Sequence, residues 1–235
     1  MRGLETDAYS LRRHAVQLQM AAKFLSGGPD NQATGGGWHQ RKAAAQMKFR
    51  LTYEGDIRPR PSASLSDIHS IRQHLHPQLK RVWEHPPLSE LKERWLKDGN
   101  PLDPNALYAR ITPVNQKKYA PLVAAHLGAE LDIIFLRQQA KGQLIGEGGD
   151  IDNRLKTLFD ALRMPSKGEV QQLGNAVEPD EDPLHCLLQD DALIHRVNVE
   201  TDRLLKDAEP RALMAIIQVT VVVTSVTWDT ITLTS

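Results

Sequence analysis

The chain has 235 residues, with 29 Lys and Arg balanced by 29 Asp and Glu for a formal net charge of zero. Hydrophobic residues make up 40% and charged residues 25%, which suits an ordinary globular chain of one sizeable domain plus an extension. No apolar run approaches the roughly 20 residues that span a bilayer. Cys186 is the single cysteine, which excludes an intramolecular disulfide and a thiolate zinc site and makes a cytoplasmic location the expectation.

Residues 1–46 differ from the rest. A short helical pattern, TDAYSLRRHAVQLQMAAKFL, runs into SGGPDNQATGGG, a polar, glycine-rich tract with little to bury. The expectation is a poorly ordered extension, or a stretch upstream of a true start at Met47. KFRLTYEG then alternates as a strand. After the proline-rich IRPRPSAS, Ser64 or Ser66 can cap a helix, SDIHSIRQHLHPQLKRVWEH, which Pro77 is expected to break or kink. SELKERWLKD forms a second helix, with Trp83 and Trp95 expected in the core. LYARITPV (107–114) reads as a strand, YAPLVAAHLG as a short helix or loop, and AELDIIFLR (129–137) as a strongly buried strand. A helix is predicted over 151–163, then a long acidic loop, SKGEVQQLGNAVEPDEDP, and two strands at 192–205 and 212–223. This order predicts one α/β domain over 47–235, a mixed β-sheet flanked by helices.

Charge is unevenly spread. Residues 47–97 hold ten Lys and Arg against six Asp and Glu, whereas 141–200 hold six against twelve. One part is suited to a polyanion backbone and the other to a cation.

The acidic part contains GGDIDNRLKTLFDALRMP (148–165) and LLQDDALI (187–194). Capping a helix start accounts for one aspartate, not for both Asp150 and Asp152. In an extended lead-in the two would point to one side, with Ile151 toward the core. Two carboxylates presented together suit magnesium, which takes few protein oxygens and leaves positions for water and phosphate. Asp152, Lys156 and Asp160 recur at spacing four, beside an apolar stripe of Leu155, Leu158, Phe159 and Leu162. Lys156 could hold a phosphate oxygen or make a plain i,i+4 ion pair, and Asp160 could orient it. Asp190 and Asp191 precede a strand. If that strand neighbours AELDIIFLR, the pair returns toward the 151–163 helix, with Asp191 the preferred ligand; ordinary turn chemistry is the alternative. In the basic part Arg58, Arg60, Arg72, Lys80 and Arg81 are the expected phosphate contacts, in company with His69, Gln73 and His76, unless they merely solvate a helix face.

These blocks resemble the signature of the RusA family of Holliday-junction resolvases, Asp-x-Asp-Asn-x-x-Lys-x-x-x-Asp-Ala-Leu followed by an Asp-Asp pair that begins a strand. Asp150, Asp152, Asn153, Lys156, Asp160, Ala161, Leu162, Asp190 and Asp191 stand at its positions. The resemblance implies a RusA-like fold and a magnesium-dependent, homodimeric endodeoxyribonuclease that cuts four-way DNA in recombination and repair. It further implies Asp150, Asp152 and Asp191 as ligands of Mg2+ and Lys156 as a catalytic aid. The chain departs from the family in a far longer stretch between Lys167 and Asp190 and in extra helical sequence within 65–110. Two other readings share the residues: a DNA-binding module of the same fold that does not cut efficiently, and a hydrolase of small phosphoesters.

Overall fold

The structure, a computed structural model, describes residues 47–97, 111–138, 151–174, 181–207 and 213–225, together with Thr230 and Leu233. The extension 1–46 lies outside the described residues, as do 98–110 and 139–150. In chain order the elements are β1 (Lys48–Gly55), a 3₁₀ turn (Arg60–Ser62), α1 (Leu65–Val82), α2 (Leu88–Trp95), β2 (Thr112–Val114), β3 (Lys117–Val123) and β4 (Leu127–Arg137). They continue with α3 (Ile151–Leu162), α4 (Lys167–Leu173), β5 (Leu184–Leu188), a second 3₁₀ turn (Asp191–Leu193), β6 (Ile194–Arg203) and β7 (Leu213–Val223).

Two mixed sheets carry the fold. The larger has the order β1-β7-β4-β6, with antiparallel pairing except between β4 and β6, which run parallel. Alternation along β1, β4 and β7 sends Leu51, Leu131, Ile133, Phe135, Ile217 and Val219 into one core with the helices. Trp83 and Trp95 are fully buried there, edge to face, with ring centroids 6.4 Å apart. The opposite face is only partly covered, with Arg50, Asp132, Asn198 and Gln218 lining a shallow depression. The smaller sheet has the order β2-β3-β5 and joins the larger through the turn between β3 and β4, where Leu127 donates its N–H to the Ala124 carbonyl at 3.0 Å.

The single α/β domain with a mixed sheet and flanking helices is as expected; several elements are not. YAPLVAAHLG supplies most of strand β3 rather than a helix or loop. β3 is buried on both faces, so no alternation marks it. Pro121 is tolerated because β2 reaches only residues 117–119, leaving β5 alone beside the proline. The long loop also holds structure. Ser166 and Glu169 form a capping box that starts α4, and β5 follows. Of the 107–114 strand only Thr112–Val114 is present among the described residues. Pro77 does not break α1, which runs unbroken from its Ser64–Asp67 capping box to Val82. The proline faces solvent, while Leu75, Leu79 and Trp83 are buried on either side and hold both halves of the helix to the core.

Candidate active site

Helix α3 carries the signature block. Leu158 and Leu162 are buried, with Ile151, Leu155 and Phe159 packed beside them, so the opposite face is left to solvent. There Lys156 Nζ meets Asp152 Oδ2 at 2.6 Å, with side chains 56% and 59% exposed. The ion pair of the plain reading is therefore present, and its member is Asp152. Ile151 and Asp152 are already helical. Asp150 itself lies outside the described residues.

Asp160 does not orient Lys156. Its carboxylate accepts from Arg60 Nε at 2.6 Å and from Arg163 Nη2 at 2.8 Å, and Arg163 reaches on to both oxygens of Glu169 at 3.0 Å. Burial alone would raise the Glu169 carboxyl, yet the Arg163 and Ser166 hydrogen bonds hold it below its ordinary range. Arg72 completes this junction from α1. Only 2% exposed, it donates through Nη2 to the Asp160 carbonyl at 2.7 Å and through Nε to the Arg163 carbonyl at 3.1 Å. It thus satisfies carbonyls at the C-terminal end of α3 that the helix leaves open. The expected phosphate contact at Arg72 is corrected accordingly: its guanidinium is consumed inside the protein. Arg60 is likewise committed to Asp160.

The condition set for the second acidic block is met, since β6 neighbours β4 and runs parallel to it. The turn before β6 packs against both β4 and α3. Asp190 spends its carboxylate on that turn, accepting from the Ala192 N–H at 2.9 Å, and Asp191 stays exposed. Among the described residues no three His, Cys, Asp or Glu side chains stand together as a metal-holding group. Asp152 and Asp191 are nonetheless surface oxygen donors on adjoining elements, the ligand type that magnesium takes.

The remaining basic positions divide. Arg58 pairs with Asp56 at 3.6 Å and Asp67 at 3.4 Å. Lys80 is exposed, and Arg81 lines a groove of about 490 Å³ with Arg50, Gln78 and His85. The other side of α1 faces protein: Gln73 donates to Glu181 at 2.7 Å, and His76 Nδ1 accepts the His185 N–H at 2.8 Å. His185 is buried, and desolvation, with help from His76, Lys80 and Lys92, pushes its imidazole down to about 3.

A buried cationic junction goes unmarked by the signature. Arg154 donates to the Ile57 carbonyl and lies 3.7 Å from Asp56. Arg137, at the end of β4, is 6% exposed, and its Nε has no hydrogen-bond partner among the described residues. Burial lowers both guanidinium groups. The available signal was position: residue 154 lies one turn before Leu158 on the buried side of α3. No family model, no curated protein and no solved structure matches the chain.

Proposed function

We propose that the chain is a magnesium-dependent endodeoxyribonuclease acting on branched DNA such as four-way junctions, in recombination and repair. The observation that carries this reading is the acid-bearing first turn of α3, exposed with Lys156 beside Asp152, and the Asp191 turn packed against the same helix. Asp152 and Asp191, with Asp150, are the residues that would hold Mg2+. When bound, the ion would supply Lewis-acid polarisation and a water of lowered pKa. Lys156 would neutralise charge developing on a phosphate oxygen. Exposed Lys80 and Arg81 would hold the DNA backbone, and a two-fold assembly would present two sites to a two-fold substrate.

The test is incubation of the full chain and magnesium with linear duplex, fork and four-way junction. Junction cleavage is expected, and Asp150→Asn, Asp152→Asn and Asp191→Asn should each lower it by about 100-fold or more while leaving junction binding intact. Binding without cleavage in the unaltered protein would instead indicate a DNA-binding module of the same fold. Cleavage at full rate by the three variants would remove these acids from the chemistry.

A further inference from the structure

The β1 edge of the larger sheet borders a groove of about 490 Å³, closed on its other side by the C-terminal half of α1. Pro77 and Val82 give it apolar walls, while Arg50, Arg81 and His85 bring basic side chains to it from two directions. Among the described residues no carboxylate lines it. Arg50 donates through Nη2 to Gln218 Oε1 at 3.0 Å, which steadies the guanidinium and leaves Nε and Nη1 unspent. Arg81 stands in the last turn of α1, and His85 follows four residues on, just beyond the helix end. Neither side chain is needed to close that end. The Lys80, Arg81 and Val82 carbonyls already accept from the Trp83, Glu84 and His85 N–H groups, at 3.3, 3.0 and 3.2 Å. Among the described residues no ion pair or hydrogen bond takes up the Arg81 or His85 side chain. The backbone adds a donor. Thr52 turns its N–H outward to Gln78 at 2.9 Å, so alternation turns the Arg50 N–H to the same edge.

We propose that this groove binds a phosphomonoester, its phosphate on Arg50 and Arg81 with His85 as a further donor, and its body against Pro77 and Val82. Guanidinium groups that gather without an acid repel one another, and an anion supplied from outside offsets that repulsion. Their planar forks suit phosphate oxygens better than point charges do. A phosphate within a DNA strand carries one negative charge, whereas a monoester carries nearly two at neutral pH. Two guanidiniums that converge from a strand and a helix answer the doubly charged group; cations strung along one strand of phosphates would not need to converge. The volume is that of a small-ligand site, and the apolar walls give the rest of the molecule a surface to cover. The end of a nucleic-acid strand and a free mononucleotide both present this chemistry. The groove lies at the sheet edge opposite β6, away from the Asp191 turn. It is thus a separate site, independent of cleavage, in which Arg81 acts with Arg50 to select a terminal phosphate.

Two binding measurements on the full chain, without magnesium and at fixed ionic strength, test this. Fluorescence titration compares single-stranded oligonucleotides that carry a terminal phosphate with the same strand ending in hydroxyls. Calorimetry compares adenosine monophosphate with adenosine. The phosphorylated ligand of at least one pair should bind about tenfold tighter or more, as charge-assisted hydrogen bonds require. A difference confined to the strands assigns the site to a strand end, and one confined to the nucleotides assigns it to a free mononucleotide. Arg50 and Arg81 are exposed, so Arg50→Met and Arg81→Met should keep the circular dichroism of the unaltered chain. Each should nonetheless erase the difference. The ratio between the two ligands is the readout because a general backbone contact at Arg81 weakens both alike. Equal binding within both pairs overturns the proposal. So does a preference for phosphate that survives in both variants.

Discussion

At its C-terminal end α3 is enclosed: Asp160 lies between Arg60 and Arg163, Arg72 caps the last carbonyls, and Glu169 ties the junction to α4. At its N-terminal turn, two to three turns away, Asp152 and Lys156 form one exposed pair with water on most sides. The same residue types therefore do two different things on one helix. In the enclosed junction Asp160, Arg163 and Glu169 each have two or more fixed partners, and the loss of one strands the others. On the open turn both charged side chains are more than half exposed, so a ligand can reach them. Acid and base in a recurring pattern are thus not evidence of a site by themselves; a ligand must also be able to reach them.

The largest expected effect comes from breaking the enclosed end. Arg72→Met keeps the stem and removes the donors, leaving the Asp160 and Arg163 carbonyls buried without their partner. A loss of about 3 kcal/mol follows from stranding such groups, or a fall of roughly 6–12 °C in Tm for a domain of this size. Urea and thermal unfolding measure it. An unchanged midpoint would show that water takes over the role of Arg72, and the contrast between the two ends would weaken.

A second effect, smaller within any one pH unit, depends on pH. The His185 imidazole takes up a proton near 6.5 in the unfolded chain but only near 3 when buried. Between those values the unfolded state binds more protons, so stability should fall as pH drops from 6.5, by up to about 1.4 kcal/mol per pH unit. Above 6.5 this group contributes no slope. His185→Gln should flatten the acid limb of the stability curve, as chemical denaturation across the pH range would reveal; an equal slope in the variant would assign the limb to other groups.

Sequence pattern revealed the parts of the molecule with a single clear period. β1, β4, β7 and the apolar stripe of α3 alternate or recur in the way their burial requires, and the tryptophans are in the core. It missed β3 and β5 because strands buried on both faces show no period, and α4 because seven residues containing a glycine give too short a stripe. Arg72 and His76 looked like parts of a basic surface because a helix seen alone does not disclose that a second sheet covers that side. The partners that decide their roles, Arg163 and His185, lie 91 and 109 residues further along the chain.

Lys80 and Arg81 offer a milder contrast, since their side of α1 is exposed. Replacing both by Ala should weaken junction binding and reduce its log–log salt slope by about 0.9 for each phosphate left unneutralised, with unfolding unchanged. Fluorescence titration at several salt concentrations gives the slope. An unaltered slope would place the DNA surface elsewhere.

The smallest effect on stability belongs to the open end of α3, and it separates a working charge from a structural one. The Asp152–Lys156 pair joins two side chains that are each more than half exposed. Pairs of this kind contribute between zero and about 1 kcal/mol, less as salt rises. Lys156→Ala should therefore leave the unfolding midpoint nearly where it was, while junction cleavage falls by about 100-fold if the ammonium neutralises phosphate charge. The two readouts divide the outcomes. A stable protein that cuts poorly assigns Lys156 to the chemistry. A stable protein that cuts normally reduces the pair to surface decoration. A midpoint that falls as far as that of Arg72→Met would mean that the open turn is held as tightly as the enclosed end, and the difference between them would be lost.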